Sequence, residues 1–294
     1  FKNTQGSQIT FEDIAAEEKR LGLDKPFLYR YTKWVSDIVI KQDFGDSCIL
    51  RISINELLSG RFVLSLTIAI TALLFSYAIA IPVGIISATT KYASLDNALK
   101  FVSYLGIALP NFLVALCIML FMTVYYGDTM TGLFSQEYEN APWSSAKVQD
   151  FLSRAWLPIF VLGWNATAFA LQTVRALMLD ENDKLYVMAA RARGVSGMSL
   201  LWRYPAKHSL GPVINSIGFD LNRIFSALPV VALILILTEA GALLIEALAR
   251  SNDQQLAGAI IFLLTATIVF VNFVTDIILA IMDPRIRRGV MGGS

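Results

Sequence analysis

The chain has 294 residues, 55% of them hydrophobic and only 16% charged, with a mean hydropathy of +0.58, which excludes an ordinary soluble domain and points to the membrane class. A formal net charge of +1 gives no overall field for nucleic acid, so the basic residues matter only through where they cluster. Cys48 and Cys117 are too few and too far apart to form a disulfide framework or a metal site.

In chain order, residues 1–61 form a polar segment whose nine basic and nine acidic residues cancel. Between Arg61 and Lys91 no residue is charged, and the run exceeds the roughly 20 residues that cross a bilayer core. Further spans are expected at Phe101–Gly127, Ala155–Val174, Gly211–Thr238 and Leu256–Met282. Pro82, Pro110, Pro158 and Pro229 fall inside these runs, which membrane helices tolerate where neighbours satisfy the freed carbonyls. Continuous, non-alternating apolar runs exclude a transmembrane β-barrel. The expected fold is an all-α, polytopic helix bundle with five spans in this chain. It divides into an extracytoplasmic segment at 1–61, a transmembrane domain at 62–282 and a tail at 283–294.

Lys and Arg in the short loops set the sides. Eleven lie on one side, from Lys91 and Lys100 through the 175–210 loop to Arg285, Arg287 and Arg288, against three (Lys147, Arg154 and Arg250) on the other. The positive-inside rule therefore puts the 175–210 loop and the C-terminus in the cytoplasm and residue 1 outside. Parity with five spans agrees.

The loop itself contains "KLYVMAARARGVSGMSLLWRYPAKHSLGP", Lys184 to Pro212. Asp183 can cap a helix starting at Lys184, Gly194 can end it, and Arg191 and Arg193 sit where the helix dipole favours cations. Ser196 can cap a second helix that stops before Pro205. The result is a helical elbow. Ala189, Ala190 and Ala192 leave a slim side, while Tyr186, Val187, Leu200, Leu201 and Trp202 offer apolar anchors. The elbow can dock into a partner's groove or lie in the membrane interface with its cations on headgroups; periodicity leaves both open.

The run "AARARG" resembles the cytoplasmic signature loop of permeases in binding-protein-dependent ABC importers, in the dipeptide, oligopeptide and nickel branch. "LGLDKPFLYRYTKWV" followed by "DFGDS", then "ALPNF", then "DPRIRRG", are similar to other segments of that branch, so the resemblance covers most of the chain. It implies that the elbow enters a cleft of a cytoplasmic ATPase, with Tyr186, Ala189, Ala190, Arg191, Ala192, Arg193, Gly194, Trp202 and Arg203 as coupling residues. Met188 stands where the signature carries a glutamate, so no ion pair of that acid carries over. The partners implied are a second homologous permease, two ABC ATPases that bind ATP and Mg, and an extracytoplasmic solute-binding protein, all in the inner membrane or against it. The cargo implied is short peptides, with oligosaccharides and nickel chelates as alternatives. The branch opens with a further helix ahead of the external segment, so the native subunit is expected to have six spans, with this chain a truncated record of it.

No GxxxxGK[ST] phosphate loop occurs, so the chain is expected to carry no cofactor and no catalytic site, and to borrow its energy from a partner. His208 is the single histidine, which makes zinc or triad chemistry improbable. "NAT" at Asn165 matches a glycosylation pattern but lies within a span. Asp220 and Arg223, three residues apart in the fourth span, either neutralise each other or, with Asn222, flank a polar path for solute. Asp276 is expected to pair with the C-terminal arginines or to cap a neighbouring helix. The polar stretch at 127–156 and the short helix of "EAGALLIEAL" either dock the binding protein or cover their own bundle. The rival class is an ion-coupled secondary transporter or a membrane scaffold, though no internal repeat is evident.

Overall fold

A computed structural model describes residues 18–19, 22, 24–90, 92–127, 131–139 and 141–282. The chain divides into two units, residues 1–57 and 58–294.

In the first unit, helix α1 (Phe27–Lys41) begins after Pro26, whose fixed φ suits a helix start, and ends at Gln42 in the left-handed region. Phe27 stacks on Tyr31 and Lys41 bonds Asp37 at 2.6 Å, both pairs one turn apart. The turn beyond is fastened by Asn55, which accepts from the Phe44 N–H at 3.0 Å and donates to the Gln42 carbonyl at 2.6 Å. Asn55 lies in α2 (Ile54–Leu58).

The second unit is built on two long helices, α3 (Arg61–Thr89) and α6 (Ser145–Asn182), which make the most extensive helix contact in the chain. Their backbones approach closely where small residues face each other. A Cβ added at Gly84 would lie 2.8 Å from the Val174 side chain, so only glycine fits there. Ser144 caps α6 by accepting the Lys147 N–H at 3.2 Å. At 38 residues α6 is about 57 Å long, far longer than the expected 155–174 span, and extends beyond a bilayer core.

Two expected spans are interrupted. Phe101–Gly127 is not one helix: α4 (Ala93–Ala108) and α5 (Asn111–Tyr126) meet at 102°. Pro110 lacks an N–H and drives Leu109 to extended geometry, which ends α4. Gly211–Thr238 is likewise cut at Ser216, where α9 (Pro205–Asn215) gives way to α10 (Ile217–Leu235). Between α6 and α9 lie the two short helices α7 (Leu185–Ala192) and α8 (Gly197–Arg203). After α10 come α11 (Ala240–Ile245), a π-helical turn (Glu246–Ser251) and the apolar α12 (Gln254–Met282). Among the described residues four helices are long and apolar enough to cross a membrane, or five crossings arise if the bent α4–α5 pair counts as one.

Candidate coupling elbow and intramembrane polar cluster

The elbow forms from α7 and α8, but its first cap differs from expectation. Lys184, not Asp183, is the N-cap of α7, and Asp183 closes α6 instead, because α6 continues to Asn182. The loop expected over 175–210 is correspondingly shorter, since Arg175 stays in α6 and Pro205 opens α9. Gly194 ends α7 at φ +86°, a conformation that favours glycine, and Ser196 takes the N-cap position of α8 without a side-chain bond.

Val187, Ala190 and Leu200 form the elbow's own core, with Tyr186, Val195 and Tyr204 packed against it. Ala190 is thus buried, not part of the slim docking side; its small side chain lets α8 close onto α7. The outward face holds Leu185, Met188, Ala189, Ala192, Met198 and Trp202, with the cations of Arg191, Arg193 and Arg203 around them. Arg191 bonds the Asn182 side chain at 3.1 Å, and Lys184 pairs with Asp180 at 3.1 Å, which raises its pKa. Tyr186 donates to the Glu181 carboxylate and meets His208 edge to face at 5.1 Å. Burial, then that bond, hold the Tyr186 phenol above its usual range, so it stays a donor.

Before the elbow, α6 is tied to α4 by Arg175, which forks onto Asp96 with Nε–Oδ1 and Nη2–Oδ2 at 3.0 Å each. Ser87 of α3 donates to the same Asp96 oxygen at 2.6 Å, and Lys100 approaches the other at 3.0 Å. Sequence reading counted Arg175 only as a loop charge; nothing local in the sequence marks Asp96 as its partner.

Asp220 and Arg223 are paired at 3.0 Å. Tyr77 of α3 donates to the other Asp220 oxygen at 2.6 Å, and the Arg223 guanidinium lies 3.9 Å above the Phe169 ring of α6. Every partner is part of the bundle. Asn222 does not join them: it sits on the exposed side of α10, with Phe219, Ser226, Val230 and Leu233 at helical spacing. Asn165 donates to the Gly106 carbonyl at 3.2 Å, tying α6 to α4. Asp276 is exposed, and the arginines expected to pair with it lie outside the described residues.

Two buried acids were not singled out in the sequence. Glu239 is fully buried at the N-cap of α11, accepting the N–H groups of Gly241 at 2.8 Å and Ala242 at 2.9 Å and the hydroxyl of Ser65. The Ser65 oxygen in turn accepts the Ala240 N–H at 3.0 Å, so one serine of α3 closes the cap. Asp253 does the same for α12, accepting from Leu256 at 3.1 Å. Both follow the rule that an acid before a helix start satisfies orphan N–H groups. The "EAGALLIEAL" helix therefore turns its first half inward and exposes only Glu246 and Leu248 to Arg250.

Lys147, at the start of α6, is also buried. Its ammonium donates to the carbonyls of Ala141 at 2.6 Å and Glu139 at 3.3 Å and lies over the Phe134 and Trp143 rings. The polar stretch before α6 is thus folded about a lysine.

Residues 80–288 match the family described as binding-protein-dependent transport system inner membrane component. The chain is similar to the oligopeptide transport system permease protein AppB of Bacillus subtilis, 29% identical, with 92% of this chain and 83% of that protein covered. It is 30% identical to the inner membrane ABC transporter permease protein YejB of Escherichia coli O157:H7 over 96% of this chain and 78% of the relative. Its fold is like that of a chain in the inward-facing MetNI methionine ABC transporter, with a TM-score of 0.61, 16% identity, and 78% of this chain and 97% of that one covered. Matched by the family model over residues 80–288 and 30% identical to a permease over 96% of its length, this helix bundle belongs to the inner membrane components of binding-protein-dependent transport systems.

Proposed function

We propose that this chain is one of two transmembrane subunits of an ABC importer of short peptides, driven by two ATPase subunits that dock on its elbow from the cytoplasm. The observation that carries this reading is the elbow's division of labour: Val187, Ala190 and Leu200 make it a self-packed unit, so its outward apolar and cationic face is free to meet a partner as a rigid body. Rigid docking lets closure of ATP- and Mg-loaded ATPases push on α6, which continues directly into the elbow, and through the Arg175–Asp96 fork on α4. The energy source and its cofactors lie in those partners.

The exposed stripe of α10 faces the second permease across the solute path, and Asn222 and Ser226 give that stripe its polar character. Asp220 and Arg223 act behind it, holding α10 onto α3 and α6. The elbow end of α6 is cytoplasmic and the loop before α6 faces outward, as the distribution of Lys and Arg supports. Peptide cargo follows the naming of the oligopeptide permease AppB.

Purification of the intact complex tests the reading. Two ABC ATPases and a second permease should accompany this chain, and ATP hydrolysis should rise when the solute-binding protein is added. A chain that purifies alone and supports ion-driven uptake would overturn it in favour of a secondary transporter.

A further inference from the structure

The elbow joins the bundle at two breaks in the helical backbone. Between α6 and α7 stand Asp183 and the extended Lys184 (φ −71°, ψ 147°), and between α8 and α9 stands Tyr204 (φ −116°, ψ −83°). With two soft dihedrals per residue, a break does not by itself fix the angle of the helix beyond it; side chains that span the break must do so. The bundle beside the elbow is a single packed body, in which Val174 and Met178 of α6 meet Ile85 of α3 and Ala206 and Val213 of α9. Leu201 of α8 rests on the same cluster and braces the second break.

The first break is spanned by Tyr186. Its hydroxyl donates to the Glu181 carboxylate in the last turn of α6, and its ring meets His208 of α9 edge to face with centroids 5.1 Å apart. The same ring packs against the Val187, Ala190 and Leu200 core. One side chain therefore touches α6, α9 and the inside of the elbow. Val187 and Ala190, the buried residues of α7, turn to Leu200 within the elbow and give α7 no hold on the bundle. The Lys184–Asp180 pair and the Arg191–Asn182 bond, each at 3.1 Å, also reach back to α6, but both are solvent-exposed, where such contacts contribute little. The partly buried bond of a phenol to a carboxylate is charge-assisted and is the stronger tie.

We infer that Tyr186 is a positioning residue of the transport cycle: it fixes the angle of α7 against α6 and α9, so that a push on the elbow's outer face moves the bundle and is not lost in swinging α7. The resemblance in sequence placed Tyr186 among the residues entering the ATPase cleft, whereas its hydroxyl and ring both meet residues of this chain. The inference rests on the permease reading above, which supplies the push.

The test uses the whole importer in proteoliposomes with its solute-binding protein and peptide, and reads the peptide taken up per ATP hydrolysed. Tyr186→Phe keeps the ring and removes the hydroxyl, and should lower that ratio about three- to tenfold. Glu181→Gln keeps an acceptor and should stay close to wild type. Glu181→Leu removes it and should match Tyr186→Phe, and the double variant Tyr186→Phe/Glu181→Leu should be no worse than either. If Tyr186→Phe fails to assemble, Glu181→Leu reads the same bond from the α6 side. A wild-type ratio in the variants that assemble would overturn the inference; where uptake and hydrolysis fall together at that ratio, the hydroxyl acts in the ATPase cleft instead. Failure of both single variants to assemble would also overturn it, by making the pair a folding contact. A wild-type complex whose hydrolysis ignores the binding protein would sink the permease reading itself.

Discussion

The Arg175 guanidinium and the Asp96 carboxylate meet as two parallel forks, both contacts at 3.0 Å, and so join the last third of α6 to the first turn of α4. The pair is about four-fifths shielded on each side, and Ser87 and Lys100 satisfy the remaining oxygen capacity. A fork of this kind resists twisting as well as stretching, which makes α6 a rigid lever below the elbow.

Replacing Asp96 with Ala leaves Arg175 shielded and unpaired, and should lower stability by about 1–3 kcal/mol. Arg175→Lys keeps the charge but loses the fork, and should fall between wild type and Asp96→Ala. The double variant Asp96→Ala/Arg175→Ala should lose less than the two single losses combined. Thermal unfolding of the detergent-solubilised complex measures these three variants and the Arg175→Ala single variant; strict additivity of the alanine variants would mean that the fork contributes nothing.

Ala189 and Ala190 are neighbours with opposite environments, and the same substitution should separate them. Ala190→Glu puts a carboxylate against Val187 and Leu200, so the elbow should fail to close and the complex to assemble. Ala189→Glu lies on the exposed face, so the complex should assemble normally while stimulated hydrolysis and uptake drop at least about tenfold if the acid blocks a groove worth 1.4 kcal/mol or more. Size-exclusion profiles and hydrolysis rates distinguish the two; equal behaviour would contradict the assigned faces.

Asp220 and Arg223 should behave as a structural pair with a fixed orientation. Asp220→Ala and Arg223→Ala should each destabilise the bundle more than half as much as the double variant does. Reversal to Asp220→Arg/Arg223→Asp should not rescue, because a carboxylate at 223 would face the electron-rich Phe169 ring and the Tyr77 hydroxyl would lose its acceptor. Full recovery on reversal would show that the surrounding partners are immaterial.

Glu239 should be felt locally. Glu239→Ala removes the acceptor for Gly241 and Ala242 and leaves the Ser65 hydroxyl with one partner fewer, an effect of about 0.5–2 kcal/mol for the cap. Hydrogen exchange across 241–245 should accelerate about threefold to thirtyfold while exchange in the middle of α6 stays unchanged. Ser65→Ala should show a smaller change in the same segment.

The membrane class, the elbow and its Gly194 stop were legible because each is local: an uncharged run, a cap position and a glycine beyond a short helix carry their own signals. The bend at Leu109–Pro110 carried one too, but hydropathy averages over a proline, so the apolar run read as one span. The inward face of Ala190 was not legible, because three alanines in four positions give no periodic contrast; only the packing of Leu200 shows which of them faces inward. Partners far apart in sequence were not legible at all. Asp96 with Arg175, Ser65 with Glu239, and Tyr77 with Asp220 each pair residues separated by 79 to 174 positions, and nothing in one sequence links such positions.

The central claim is that the exposed face of α7 and α8 contacts an ATPase, and a photoactivatable amino acid at that face reads it directly. Placed at Met188 or Trp202, both about half exposed, it should form an adduct with the ATPase subunit in the assembled complex, whereas the same group at Leu248, exposed at the far end of the bundle, should form none. Adducts from Met188 and Trp202 to lipid alone, with the ATPase present and unmodified, would contradict the account and make the elbow an interfacial anchor.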